Sequence, residues 1–137
     1  MIGILAAIAI PNYQRYVTES RRTDAKSALM QTAGQLERCY TVTSDYRIRS
    51  VSASGATKTY TTCIGNSEKT SLSASESTTI ESPENYYSVT ANASSASYSI
   101  TASPSAGSPQ NDDTACPSFT LDQTGKKGPD DKVDECW

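Results

Sequence analysis

The sequence predicts an α+β protein, in which one long N-terminal helix packs against a small antiparallel sheet. Three observations support this fold class: helical periodicity over residues 1–40, alternating β-type runs after residue 86, and four cysteines. The core must be small, because Leu, Ile, Val and Phe supply only 19 of 137 residues, whereas Ser and Thr supply 38. We therefore expect disulfides and tyrosine packing to supplement a limited apolar core.

The first element is a helix over residues 1 to about 40, with a kink predicted at Pro11. The apolar run of residues 2–10 would span about 14 Å as a helix, roughly half the hydrocarbon thickness of a bilayer. From Tyr13 onward, apolar residues recur at steps of three and four, and charged residues occupy the positions between them. Such a helix projects into an apolar environment, either lipid or neighbouring copies; a buried core helix is the alternative.

The remaining elements follow from turn signals and alternation. Residues 41–85 are rich in Ser and Thr and are predicted to form a variable helix-to-sheet loop, with an edge strand as an option at residues 60–64. Residues 86–91 and 97–102 alternate as strands and predict a hairpin around a loop at residues 92–96. Residues 118–122 predict a further strand before a turn at residues 123–125.

The four cysteines, Cys39, Cys63, Cys116 and Cys136, are expected to form two disulfides in an oxidising compartment. Three pairings exist, and we favour Cys39–Cys63 with Cys116–Cys136, because each pair brackets a compact stretch with turn signals. Each bridge would stabilise the fold by about 3 kcal/mol in the chain-entropy model. Four free buried thiols are the alternative.

Several function classes lack support in the sequence. The chain has no His and contains no phosphate-binding or dinucleotide-binding motif, so we expect no catalytic residue and no cofactor. The acidic pairs at residues 130–131 and 134–135 could suggest a calcium loop, but their spacing is not that of an EF-hand. We therefore expect no metal site and no enzymatic activity.

Residues 2–13, IGILAAIAIPNY, closely resemble the N-terminal helix of bacterial type IV pilins. Residues 98–104, 113–125 and 136–137 resemble the last strands and the cysteine loop of type IVa pilins, most closely the minor pilins. The resemblance implies the pilin lollipop fold, with a four-stranded antiparallel sheet in the head and helices bundled in the filament core. Because the leader and the family's glutamate are not seen, we expect an N-terminally truncated chain.

The resemblance also implies a function: a structural subunit of a type IV pilus, serving twitching motility, adhesion or DNA uptake at the cell surface. Its partners would be other pilin subunits, inner-membrane lipid before assembly, and the pilus assembly machinery. A type II secretion pseudopilin is an alternative. The predicted assembly residues share the N-terminal helix and are Ile2, Gly3, Ile4, Leu5, Ile8, Ile10, Pro11 and Tyr13.

A second alternative is a minor pilin that acts as a DNA-uptake receptor through basic loops. Residues 50–137 are acidic and the net charge of the chain is −3, so any DNA contact must be local. If the two cysteine-bounded loops meet at one edge of the head, six cations could contact phosphates. They are Arg47, Arg49, Lys58, Lys126, Lys127 and Lys132. Acidic neighbours of the three C-terminal lysines favour solvated turn charges instead.

Overall fold

The structure is a computed structural model that describes residues 2–137, with side chains from Tyr13 onward. Helix α1 spans Ile2–Thr43 and ends at Ser44, whose left-handed φ of 60° lets its amide donate to the Tyr40 carbonyl at 2.7 Å. The predicted long helix is confirmed. The side chains proposed for assembly from Ile2 to Pro11 lie outside the described side chains, whereas that of Tyr13 is 70% exposed. Helix α1 continues through Pro11, and the kink there stays a prediction. Within the described part of the chain, no helix has the length and apolarity needed to cross a membrane.

A small three-stranded antiparallel sheet follows the helix, in the order β1 (Ile48–Ser54), β2 (Thr57–Thr62) and β3 (Glu68–Lys69). Residues 41–85, expected to form a helix-to-sheet loop, thus contain these three strands, and the segment proposed as an edge strand contributes to the central strand, β2. Ser recurs at every second residue of 50–54, which is the period of a strand. Six of the seven β1 residues are exposed, so apolar side chains mark neither face and the apolar pattern does not predict this strand.

The larger sheet contains five antiparallel strands in chain order: β4 (Glu76–Glu81), β5 (Tyr87–Ala93), β6 (Tyr98–Pro104), β7 (Phe119–Asp122) and β8 (Lys127–Gly128). The predicted hairpin and the predicted third strand are confirmed as β5, β6 and β7. The sheet has one strand more than the four implied by the pilin resemblance. The difference is β8, a two-residue strand that pairs with β7.

The core lies between α1 and the inward face of the larger sheet. Small and aliphatic helix residues at steps of three and four, such as Ala25, Leu29 and Leu36, contact this face. Tyr87 and Tyr98 are buried there, as expected for strand tyrosines that pack a sheet on a helix. The inward residues of the three central strands are Tyr87, Val89, Ala91, Ala93, Tyr98, Ile100, Ala102, Phe119 and Leu121.

Covalent and polar contacts fasten the loops to this core. The disulfide Cys39–Cys63 ties the end of α1 to the residue after β2, and Cys116–Cys136 ties the segment before β7 to the short helix α2 (Val133–Cys136). Both pairings are those that the sequence favoured. Buried Gln110 donates to the Thr18 carbonyl at 3.3 Å and thereby anchors the β6–β7 connection on the helix.

Candidate functional site

Several loops meet at one end of the larger sheet, beside the C-terminal end of α1. The Tyr46 amide donates to the Ser95 carbonyl at 3.4 Å, and Arg47 Nη1 donates to the Ser73 carbonyl at 2.7 Å. The Tyr98 amide donates to Gln123 Oε1 at 3.3 Å. We call this region, formed by residues 45–49, 73–76, 94–97 and 123–126, the distal end of the head.

Arg47 lies at the distal end, but its charge is already compensated. Its guanidinium donates to both carboxylate oxygens of Asp45, with Nη2 to Oδ2 at 2.7 Å and Nε to Oδ1 at 3.0 Å. These hydrogen bonds from Arg47 are the largest cause that lowers the pKa of Asp45, so the pair stays ionised. Only 17% of the Arg47 side chain is exposed. Arg47 therefore mainly links the segment just before β1 to the β3–β4 connection, through its hydrogen bond to the Ser73 carbonyl.

Arg49 and Lys58 both belong to the small sheet and are exposed. Arg49 follows Ile48 at an irregularity in the β1–β2 register, and its guanidinium donates to the side-chain oxygen of Asn66. Lys58 faces Ala53 near the hairpin tip. Among the described residues, neither cation forms an ion pair. Both charges are therefore available to an anionic partner.

The C-terminal lysines lie in and after the β7–β8 turn. Lys126 Nζ is 3.1 Å from Asp130 Oδ2, but these side chains are 63% and 73% exposed, so the pair is weak. Lys127 Nζ lies 5.1 Å from the ring centroid of Trp137. Lys132 is half-buried in the turn at residues 130–132. The structure thus brings Lys126 to the same end of the sheet as Arg47, whereas no contact joins Lys132 to that end.

A family model described as type IV minor pilin ComP, DNA uptake sequence receptor, matches residues 11–120. The chain belongs to this family. It is therefore a minor pilin, a subunit of a type IV pilus and a protein of the cell surface. The matched range includes Arg49 and Lys58 and ends before Lys126. A search of curated proteins found no match.

The minor pilin carries one further cation that sequence reasoning missed. Lys26 is one of the charged residues between the apolar positions of α1, but its Nζ lies 3.5 Å from the Trp137 backbone oxygen, across 111 residues of chain. Burial lowers the pKa of Lys26, and the nearby charges of Arg22 and Lys127 lower it further. No local sequence signal could have indicated this contact, because it depends on how the chain end packs on α1.

Acidic side chains limit the positive surface of this minor pilin. Asp122 accepts hydrogen bonds from the amide and the hydroxyl of Thr124 and from the Lys126 amide, and these contacts lower its pKa. Asp122 is therefore ionised beside Lys126. The described residues contain no group of three or more His, Cys, Asp or Glu that could hold a metal ion.

Proposed function

We propose that this minor pilin binds duplex DNA at the distal end of its head and along the adjoining β1–β2 hairpin, with Arg49, Lys58 and Lys126 contacting phosphates. The family's description as a DNA uptake sequence receptor supports the ligand. The observation that carries the proposed site is the set of hydrogen bonds that gathers residues 45–49, 94–97 and 123–126 at one end of the sheet. These segments include Arg49 and Lys126, and Lys58 lies in the β1–β2 hairpin that continues from Arg49.

The number of phosphate contacts in this proposal is small, in keeping with a net charge of −3. Each phosphate contact contributes about −0.9 to the slope of log affinity against log salt concentration. Three contacts predict a slope of about −2.7, so binding weakens about 40-fold between 50 and 200 mM salt. Lys127 and Lys132 lie farther along the same C-terminal loop and would add contacts only to a longer duplex.

Fluorescence anisotropy of a labelled duplex tests this proposal, with the full chain kept in detergent. Arg49→Gln and Lys58→Gln should each reduce the magnitude of the salt slope by about one unit. Arg15→Gln is the matched control, because its side chain is 82% exposed. It lies 28 residues before the end of α1 and thus about 40 Å from the distal end. Absence of binding at low salt, or equal loss in all three variants, would refute the proposal.

We further propose that residues 1–12 hold the subunit in the inner membrane, with its head in the periplasm, until the assembly machinery extracts it. The apolar run of residues 2–10 supports this stage. In this proposal the subunit contributes structure and binding, without catalysis. Ile4→Asp would place a charge in an apolar helix at a cost of about 3 kcal/mol. Cell fractionation should then find less of the chain in the membrane; unchanged membrane retention would argue against the proposal.

A further inference from the structure

The β1–β2 hairpin stands apart from the other strands. The short strand β3 pairs only with Tyr60 and Thr61 of β2, so residues 50–59 form a two-stranded ribbon without further strand neighbours. All residues from 50 to 58 are exposed, and Gly55 adopts a φ of +63° at the tip. We call residues 50–59 the ribbon. It extends from the small sheet that also carries Arg49.

One face of the ribbon consists entirely of hydroxyl side chains. Directly opposed residues point to the same face of an antiparallel pair, and two opposed pairs of the ribbon share one face: Ser52 with Thr59, and Ser54 with Thr57. At the base of the ribbon, Ser50 lies opposite Thr61 on the same face. The other face carries Val51, Ala53, Lys58 and Tyr60. The six hydroxyls form no hydrogen bond with any other described residue. They are therefore free to act as donors and acceptors toward a ligand.

We propose that the ribbon enters the major groove of duplex DNA and that its hydroxyl face, centred on Ser52 and Thr59, recognises base edges. This inference rests on the proposed DNA-binding function and adds the groove and the residues that select sequence. Contacts between cations and phosphates cannot select one DNA sequence over another, because the phosphates are the same in every sequence. A group that discriminates between sequences must therefore reach the bases.

The dimensions of the ribbon match this role. Two strands lie about 4.8 Å apart, and a major groove about 12 Å wide admits a two-stranded ribbon with its side chains. Residues at every second position are about 6.7 Å apart, so the two hydroxyl pairs of the ribbon are separated by about the length of two base-pair steps. A hydroxyl can donate to guanine or thymine and accept from adenine or cytosine, and a threonine methyl can contact the thymine methyl.

The charges around the ribbon fit the same orientation. Lys58 lies on the face opposite the hydroxyls, and its long side chain can extend to the backbone at the groove rim while the hydroxyls face the bases. Glu68 lies opposite Thr61 at the base of the ribbon. Its carboxylate would be repelled by phosphates, which limits insertion to the outer part of the ribbon, residues 51–59.

The test begins with duplexes selected from a randomised pool by the full chain in detergent. The double variant Ser52→Ala/Thr59→Val should lower the affinity ratio of selected to random duplex at least about tenfold, with an unchanged salt slope. Ala53→Ser and Tyr60→Phe, on the opposite face, are matched controls and should keep the ratio. Circular dichroism and melting temperature verify that the four substitutions leave the fold intact.

Base analogues identify the groove independently of any protein variant. Replacing guanine by 7-deazaguanine removes an acceptor in the major groove and should weaken binding of the selected duplex. Replacing guanine by hypoxanthine removes the minor-groove amino group and should have little effect. An unchanged ratio in the double variant, or sensitivity to hypoxanthine alone, would overturn the inference. Failure of the wild-type chain to bind any duplex would instead refute the proposed function itself.

Discussion

The ion pair between Arg22 and Asp113 joins α1 to the β6–β7 connection and leads to a sharp stability prediction. Arg22 Nε lies 2.7 Å from Asp113 Oδ2 and Nη2 lies 2.8 Å from Oδ1, so the contact is bidentate. The two side chains are only 15% and 4% exposed. Asp113→Asn preserves the shape but leaves the Arg22 charge mostly buried without its anion, a change that costs about 3–5 kcal/mol in buried pairs. Because Arg22 keeps some exposure, we expect a loss of about 3 kcal/mol.

Urea unfolding of the full chain in detergent measures this loss. Trp137 is the only tryptophan and packs edge-on against Phe119 with ring centroids 5.8 Å apart, so its fluorescence reports the head. Glu19→Gln is the control, because it breaks an exposed pair with Arg15 and should cost less than about 0.5 kcal/mol. A loss below about 1 kcal/mol in Asp113→Asn would refute the reasoning, since the pair would then behave as a solvated surface contact.

Three further predictions concern the stability of the head. The double variant Cys39→Ala/Cys63→Ala should lose about 3 kcal/mol in the free energy of unfolding, measured by urea titration, because a bridge across 24 residues is lost; an unchanged midpoint would contradict this. Gly128→Ala should lower the melting temperature, because its Cβ would lie 2.2 Å from Thr120 Oγ1, and adding Thr120→Ala should restore it. Hydrogen bonds from Lys69 and from the Ser73 amide lower the pKa of Glu76. The ionised carboxylate therefore stabilises the fold fully above its unfolded pKa of 4.5, and this stabilisation is lost as the pH falls through the folded pKa. In Glu76→Gln, urea midpoints should therefore fall less steeply below pH 4.5 than in the wild type, and parallel curves would count against this assignment.

The elements that the sequence predicted well are those with a local apolar period. The spacing of Ala25, Leu29 and Leu36 marks the helix face that α1 buries, and the alternation of Tyr87 and Val89 marks β5. The sequence indicated only one possible strand of the small sheet, at residues 60–64. Strand β1 has no apolar pattern that would predict it, because six of its seven residues are exposed. Its period of two was carried by hydroxyl residues alone, which are also the residues of turns and loops.

In the candidate site, too, the sequence predicts some features and leaves others to tertiary contacts. The sequence identified Arg49, Lys58 and Lys126 as cations in two cysteine-bounded loops, but it could not show which side chains are already neutralised. Arg47 illustrates this limit, because its bidentate contact with Asp45 depends on a turn geometry that composition does not encode. Lys26 is a second example, because its position on the helix does not predict its contact with the distant Trp137.

Local patterns were enough to predict the long helix, the β5–β6 hairpin and two disulfides, because periodicity and cysteine spacing are properties of short stretches of chain. Other features follow from contacts between distant residues: the strands of the Ser- and Thr-rich region, the ion pair of Arg22 with Asp113 across 91 residues, and the position of the loops with Arg47 and Lys126 at one end of a sheet. Contacts between distant residues depend on strand pairing and on packing against the helix. Their stabilisation exists only once the whole domain has formed, so no local pattern records them.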